Sequence, residues 1–129
     1  MTFMTTPVPS NAELEILRIL WKEGPRTVRE VHDALKHERS VGYTTVLKIM
    51  QVMAEKKLVM RDESERSHVY TAAVEEKSVK RRLVSDLLDK AFDGSAAQLV
   101  MQALSDKRAS AEDLRKIRKL LNESERRTE

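Results

Sequence analysis

The stretch from Gly42 to Tyr70, GYTTVLKIMQVMAEKKLVMRDESERSHVY, constrains the fold more than any other part of the chain. Val46, Ile49, Met50 and Met53 recur at i, i+3, i+4 and i+7, the spacing that gathers apolar side chains on one face of an α-helix. Two β-leaning runs follow at once, Leu58–Arg61 and Ser67–Thr71, on either side of the polar segment Asp62–Arg66. The spacing therefore predicts a one-sided helix that turns directly into a ribbon with a charged tip. That tip holds neither Gly nor Asn, the commonest residues of tight hairpin turns.

Two further helices precede this stretch. Ser10 with Glu13 has the form of a capping box and opens a helix whose apolar face is Leu14, Leu17, Leu20 and Trp21. Gly24-Pro25 stops it. Thr27 with Glu30 is a second box, opening a helix that turns Val28, Val31, Ala34 and Leu35 inward and frays near Lys36-His37-Glu38. From Glu75 onward the pattern is helical only. Val79, Leu83, Leu87 and Ala91 form a stripe widened by Val84 and Leu88, with Gly94 as the stop. Ser95 starts a short helix carrying Leu99, Val100, Ala103 and Leu104. Ser110, with Glu112 and Asp113 behind it, caps a last helix with Leu114, Ile117, Leu120 and Leu121 on one side.

The fold expected is thus mostly α: a winged helix-turn-helix of three helices plus a small β-hairpin, followed by a three-helix dimerisation region. The boundaries read as a flexible tail over 1–9, the winged helix over 10–74, the helical region over 75–122 and a second tail over 123–129. The C-terminal helices are short and one-sided, and aromatics make up 4% of the chain, so one copy offers them little to pack against. A homodimer would complete that core, with Leu83, Leu87, Leu99, Leu114, Ile117 and Leu121 at the contact.

Charge and composition exclude several classes. Lys and Arg number 24 against 21 Asp and Glu, a net charge of +3 that is too small to imply nucleic acid without local placement. With 0 cysteines, disulfides, thiolate metal sites and cysteine nucleophiles are excluded. No window approaches the roughly 20 apolar residues of a membrane span, and the first ten residues do not form a secretory signal, so no membrane role and a cytoplasmic location are expected. The three histidines, His32, His37 and His68, show no metal-ligand spacing. There is no glycine-rich phosphate loop and no nucleophile elbow. The expectation is of no enzyme, no catalytic residue, no metal and no cofactor.

The helix beginning at Tyr43 carries the functional signal. With its stripe inside, Thr44, Thr45, Lys48 and Gln51 face outward. Threonine can hydrogen-bond phosphate or a base edge and place its methyl on thymine, and Lys48 can reach a guanine or a phosphate. Tyr43 stands at the helix start, where free backbone amides favour an anion. Arg66 on the hairpin could hold a phosphate, while Asp62, Glu63 and Glu65 at the tip repel one. Periodicity alone reads equally well as a DNA-contacting face or as a solvated one. A winged-helix module that binds protein without DNA is the alternative.

A resemblance bears on that choice. Gly42-Tyr43-Thr44-Thr45-Val46, then Glu55-Lys56-Lys57-Leu58-Val59, then Arg66-Ser67-His68-Val69-Tyr70, together with Asn11–Leu17 and Leu20-Trp21, resemble the penicillinase-repressor family over residues 10 to about 122. Its members include the β-lactamase and methicillin-resistance repressors and copper-responsive relatives. The resemblance implies a dimeric repressor of transcription whose winged helix reads an inverted-repeat operator in double-stranded DNA. It makes Thr44, Thr45 and Lys48 the operator contacts and Arg66–Tyr70 the second wing strand. Lys48 stands where many relatives carry a small polar residue, and Lys57 stands for a common glycine. The antibiotic-responsive members are inactivated by cleavage between Asn and Phe; Gln102 and Ala103 align there, so the local sequence does not support a regulatory protease as partner. Copper-responsive members bind metal through cysteines, which this chain lacks.

Overall fold

The structure, a computed structural model, describes residues 7–36 and 40–128. His37 and most of the tail expected at 1–9 lie outside them. In chain order the elements are α1 (Asn11–Glu23), β1 (Arg26–Thr27), α2 (Val28–Leu35), α3 (Tyr43–Glu55), β2 (Val59–Asp62), β3 (Val69–Ala72), α4 (Glu76–Ala91), α5 (Ala96–Ser105) and α6 (Ala111–Thr128). They divide into two compact units, Met1–Val84 and Ser85–Glu129, with the division inside α4.

In the first unit both capping boxes form as local hydrogen-bonding dictates. The Ser10 hydroxyl accepts from the Glu13 amide at 3.2 Å, and the Glu13 carboxylate accepts from the Ser10 amide at 2.9 Å. Thr27 and Glu30 repeat the exchange at 3.2 and 2.9 Å. Ile16, Leu17, Leu20, Val28, Val31, Leu35, Val46, Met50, Met53, Leu58, Val59 and Tyr70 make one core, so three helices and the sheet share a single buried volume. The buried face of α1 centres on Ile16, Leu17 and Leu20; Leu14 and Trp21, expected on it, are only half-buried. Trp21 keeps its indole N–H partnered by donating to the Val74 carbonyl at 3.0 Å.

The sheet has three strands in the order β1-β3-β2, all antiparallel, rather than the two of a simple hairpin. Arg26 and Thr27 pair with Tyr70 and Val69, filling the free edge of β3. On its other side β3 meets β2 in the register Val59↔Ala72 to Asp62↔Val69. The strands start and end about one residue later than the β-leaning runs, which leaves Arg66, Ser67 and His68 in the connection. The tip takes its turn chemistry from Asp62, whose carboxylate accepts from the Ser64 amide at 2.9 Å. An aspartate does there what glycine or asparagine does in commoner hairpins.

The exit from α3 is built with an unusual residue. The Leu58 amide donates to the Met53 carbonyl at 2.9 Å and the Lys57 amide to Ala54 at 3.1 Å, the paired bonds of a Schellman stop. That stop puts the residue between helix and strand in the left-handed region, and Lys57 sits there at φ 66°. Beside it, the Lys56 ammonium reaches back to Glu13 at 2.9 Å. Glu13 is 4% exposed, so the α1 capping carboxylate is also a buried ion-pair partner of the α3 terminus. Burial pushes its pKa up, but the Lys56 hydrogen bond and the Ser10 amide outweigh burial and hold the carboxyl below its usual value.

In the second unit, Ser95 caps α5 by accepting from the Gln98 amide at 3.1 Å. Ser110 and Asp113 form a reciprocal box at the start of α6, at 3.0 and 3.1 Å. Helix α6 continues to Thr128, past the boundary at 122 where its apolar stripe ends. Residues 123–128, ESERRT, contain no Gly or Pro and are rich in Glu and Arg, so the helix persists where no apolar side chain is left to bury. Neither α5 nor α6 has a buried residue. Leu87, Leu114 and Leu121 are exposed, whereas Leu83, Leu99 and Ile117 are half-buried.

Two stability predictions follow from the α3 exit. Lys57→Gly removes the left-handed penalty of about 1 kcal/mol, partly offset by greater freedom of the unfolded chain. A net gain of roughly 0.5 kcal/mol is expected in urea unfolding. For Glu13, a depressed folded pKa means stability that is fully present above the unfolded value of about 4.3 and lost as pH falls through the folded one. Because Lys56 is half in solvent, the pair contributes about 1 kcal/mol. Thermal melts should show the protein ahead of Glu13→Gln at neutral pH, with the gap closing in acid; a gap that widens in acid contradicts the assignment.

Candidate nucleic-acid interface

Helix α3 buries Val46, Met50 and Met53 and half-buries Ile49, and this phase decides what faces out. Thr44, Thr45, Lys48 and Gln51 are all exposed, in one band along the helix. Gly42 is the N-cap and offers no side chain to the first-turn amides, and no acidic residue stands in that turn. By contrast, α1, α2, α5 and α6 start on a Ser or Thr hydroxyl. The first turn of α3 thus keeps its positive end available to an outside acceptor.

Tyr43 opens the helix with its ring held by α2. The Arg29 guanidinium lies 4.8 Å from the ring centroid, a cation–π distance. The His32 ring meets it edge-on, with centroids 6.0 Å apart at 77°.

Between α3 and the wing runs a groove of about 360 Å³. Tyr43, Leu47 and Tyr70 give it aromatic and apolar surface, Thr27, Gln51 and Ser67 give it hydrogen-bonding groups, and Arg29, Arg61, Arg66 and His68 give it basic ones. Among the described residues none that lines it is acidic. Its basic groups are not equivalent. Arg61 is held by Glu63, with Nε donating at 2.9 Å and the second contact at 2.7 Å. The Tyr70 hydroxyl and Glu63 both raise its pKa, so it stays charged but committed. Arg66 has no ion-pair partner among the described residues. Asp62, Glu63 and Glu65 lie on the wing tip, outside the groove lining.

Of the residues singled out in the sequence, Tyr43, Gln51 and Arg66 meet in this groove, while Thr44, Thr45 and Lys48 stand on exposed α3 outside its lining. Arg29 carries no motif signal in the sequence, and His68 is marked there only by lacking metal-ligand spacing and by its place in the Arg66–Tyr70 run. The only local hint was that Arg29 falls just inside the Thr27 capping box, on the side of α2 away from Val28 and Val31. Among the described residues no three His, Asp or Glu side chains gather closely enough to hold a metal, and no helix is long and apolar enough to cross a membrane.

Three packed helices, a three-stranded antiparallel sheet and an exposed third helix beside a wing define a winged helix-turn-helix protein. The penicillinase repressor family matches residues 9–123, and the chain belongs to that family. It is 32% identical over 114 residues to the transcriptional regulator BlaI of Mycobacterium tuberculosis, an alignment covering 88% of this chain and 82% of that protein. With the penicillinase repressor of Bacillus licheniformis it shares 22% identity over 121 residues, 94% of each chain. Its fold is similar to the solution structure of the Bacillus licheniformis BlaI monomeric form in complex with the blaP half-operator. That match has a TM-score of 0.50 and 24% identity, and covers 57% of this chain and 90% of the other.

Proposed function

We propose that this protein is a homodimeric transcriptional repressor, acting in the cytoplasm, that binds an inverted-repeat operator by laying α3 in the major groove of each half-site. The observation that carries the reading is the exposed band of α3, whose hydroxyl, amide and ammonium groups suit base edges, next to a basic groove with no carboxylate among the described residues that line it. Membership of a repressor family supports it, as does the fold shared with a relative solved on its half-operator.

The roles divide by position. Thr44, Thr45 and Lys48 contact bases, with Gln51 farther along the same face. Tyr43, the open first turn of α3 and Arg66 hold phosphates on either side. The acidic tip stays off the backbone, and Arg61 is neutralised locally by Glu63. Two half-sites about one helical turn apart, or a multiple of that, match a two-fold dimer.

Pairing is supported by the second unit. Leu87 is 45% exposed, Leu114 42%, and Leu120 and Leu121 58% each. Helical faces this apolar are stabilised when a second copy covers them with the same patch. Leu83, Leu87, Leu99, Leu114, Ile117 and Leu121 are the proposed contact residues.

Selecting bound duplexes from genomic DNA tests the whole reading; retention of a protein partner without duplex binding at any salt concentration would transfer it to a protein-docking module. Lys48→Ala should weaken operator binding by about 1–3 kcal/mol and relax the preference at a single base position. Arg66→Ala should weaken all sequences alike and lower the slope of log K against log salt by about one. In sedimentation, Ile117→Asp should convert dimer to monomer; a native protein that is already monomeric at micromolar concentration would refute the pairing.

A further inference from the structure

We propose that His32 is a positioning residue that sets the start of the recognition helix through the Val41 carbonyl, an inference that rests on the repressor reading above. Helix α3 begins on a glycine cap with no side-chain bond of its own, so its direction at that end is fixed from outside. The outside contact is His32 on α2, whose Nε2 lies 2.8 Å from the carbonyl of Val41, the residue before the cap. A carbonyl only accepts, so Nε2 carries the proton and donates. The same ring packs edge-on to Tyr43, the first residue of α3, and Arg29, one turn earlier in α2, also lies over Tyr43. Both contacts fall on the end of α3 that precedes Thr44, Thr45 and Lys48 in the chain.

Stability alone does not account for a histidine here. Its buried Nδ1 has no hydrogen-bond partner among the described residues, the Asp33 carboxylate standing 3.7 Å away. A buried, unpaired nitrogen is a cost, and a plain apolar side chain on α2 would avoid it. What the imidazole supplies is a donor at the reach of Nε2. Small errors in the placement of α3 move every base contact beyond its first turn, whereas phosphate contacts tolerate them, because the backbone charge is sequence-independent.

Glutamine and asparagine separate the roles of the two ring nitrogens. The side-chain amide of His32→Gln reaches about as far as Nε2, and that of His32→Asn only as far as Nδ1. The probe is a duplex selected from a random library by the unsubstituted protein, measured against an unrelated duplex. His32→Gln should bind the selected duplex within about twofold of the unsubstituted protein. His32→Asn should lose about tenfold per half-site, the worth of one hydrogen bond. Both should bind the unrelated duplex unchanged. Hydrogen exchange at the amides of residues 43–46 should quicken in His32→Asn and stay the same in His32→Gln, with melting curves reporting whether each variant is folded. Equal behaviour of the two variants on the selected duplex, whether both bind or both fail, overturns the proposal. Parallel loss on both duplexes together with a lowered melting temperature shows a merely structural histidine and also overturns it. If the unsubstituted protein selects no duplex at all, the repressor reading fails and this inference falls with it.

Discussion

One helix has to serve two surfaces. Val46, Met50 and Met53 are wholly buried among side chains from α1, α2 and the sheet, and that burial fixes the rotation of α3 about its axis. Rotation by a single residue, about 100°, would drive Thr45 or Gln51 into the core and bring a methionine to the surface. Burying a hydroxyl or amide side chain without a partner costs several kcal/mol. The core therefore enforces the outward face. The positions proposed to meet DNA are exposed because their neighbours one or two residues away are buried.

Rotation is only one of the degrees of freedom that a helix proposed to read DNA must lose; its ends must also be held. At the C-terminal end three devices converge on Lys56, Lys57 and Leu58: the Schellman bonds into Leu58, the left-handed Lys57, and the Lys56–Glu13 pair that ties this end to the capping box of α1. At the N-terminal end the constraint comes from α2, through His32, Val41, Arg29 and Tyr43. The two ends differ in kind. The C-terminal anchors satisfy α3's own backbone and bury a charge in a pair, so they contribute mainly to stability. The N-terminal ones leave the first-turn amides open and leave one buried nitrogen unpaired, as expected where an element keeps binding capacity in reserve.

Much of this was legible locally. The Ser10 and Thr27 boxes, the α3 stripe and the serine caps of α5 and α6 depend on residues three or four apart, and the structure contains each of them. Interactions across long stretches of sequence were not legible. Glu13 reads as a surface capping residue until Lys56, 43 positions on, is placed against it. Strand β1 is two residues directly after Gly24-Pro25, too short for any periodicity, and exists because β3 has a free edge. The face of α1 shifted from Leu14 and Trp21 toward Ile16 because the angle at which α1 meets its neighbours, and not its own pattern, selects the buried stripe. The end of α6 was misplaced for a different reason: an apolar stripe marks where a helix packs, and helix-forming Glu and Arg carry the backbone further. At the candidate interface the same division holds. Tyr43, Gln51 and Arg66 could be named from the sequence, but Arg29 joins them only through the packing of α2 on α3.

The two units face opposite physical demands. The first is closed by a core that includes wholly buried residues from every one of its first three helices. The second has no buried residue in α5 or α6, and two of its leucines, Leu120 and Leu121, stand more than half in water. Under the proposed function that asymmetry has a thermodynamic consequence. A half-site offers one recognition helix and a handful of phosphate contacts, and binding both halves with one dimer makes the second contact intramolecular, at an effective concentration far above that of free protein. Operator occupancy then depends on the association of the second unit as strongly as on the groove contacts of the first. Because that association rests on apolar area that each copy leaves largely uncovered, any event that unpairs the second unit weakens operator binding without touching a single residue of α3. Under that proposal, dimer contact and operator contact are two linked terms of one equilibrium.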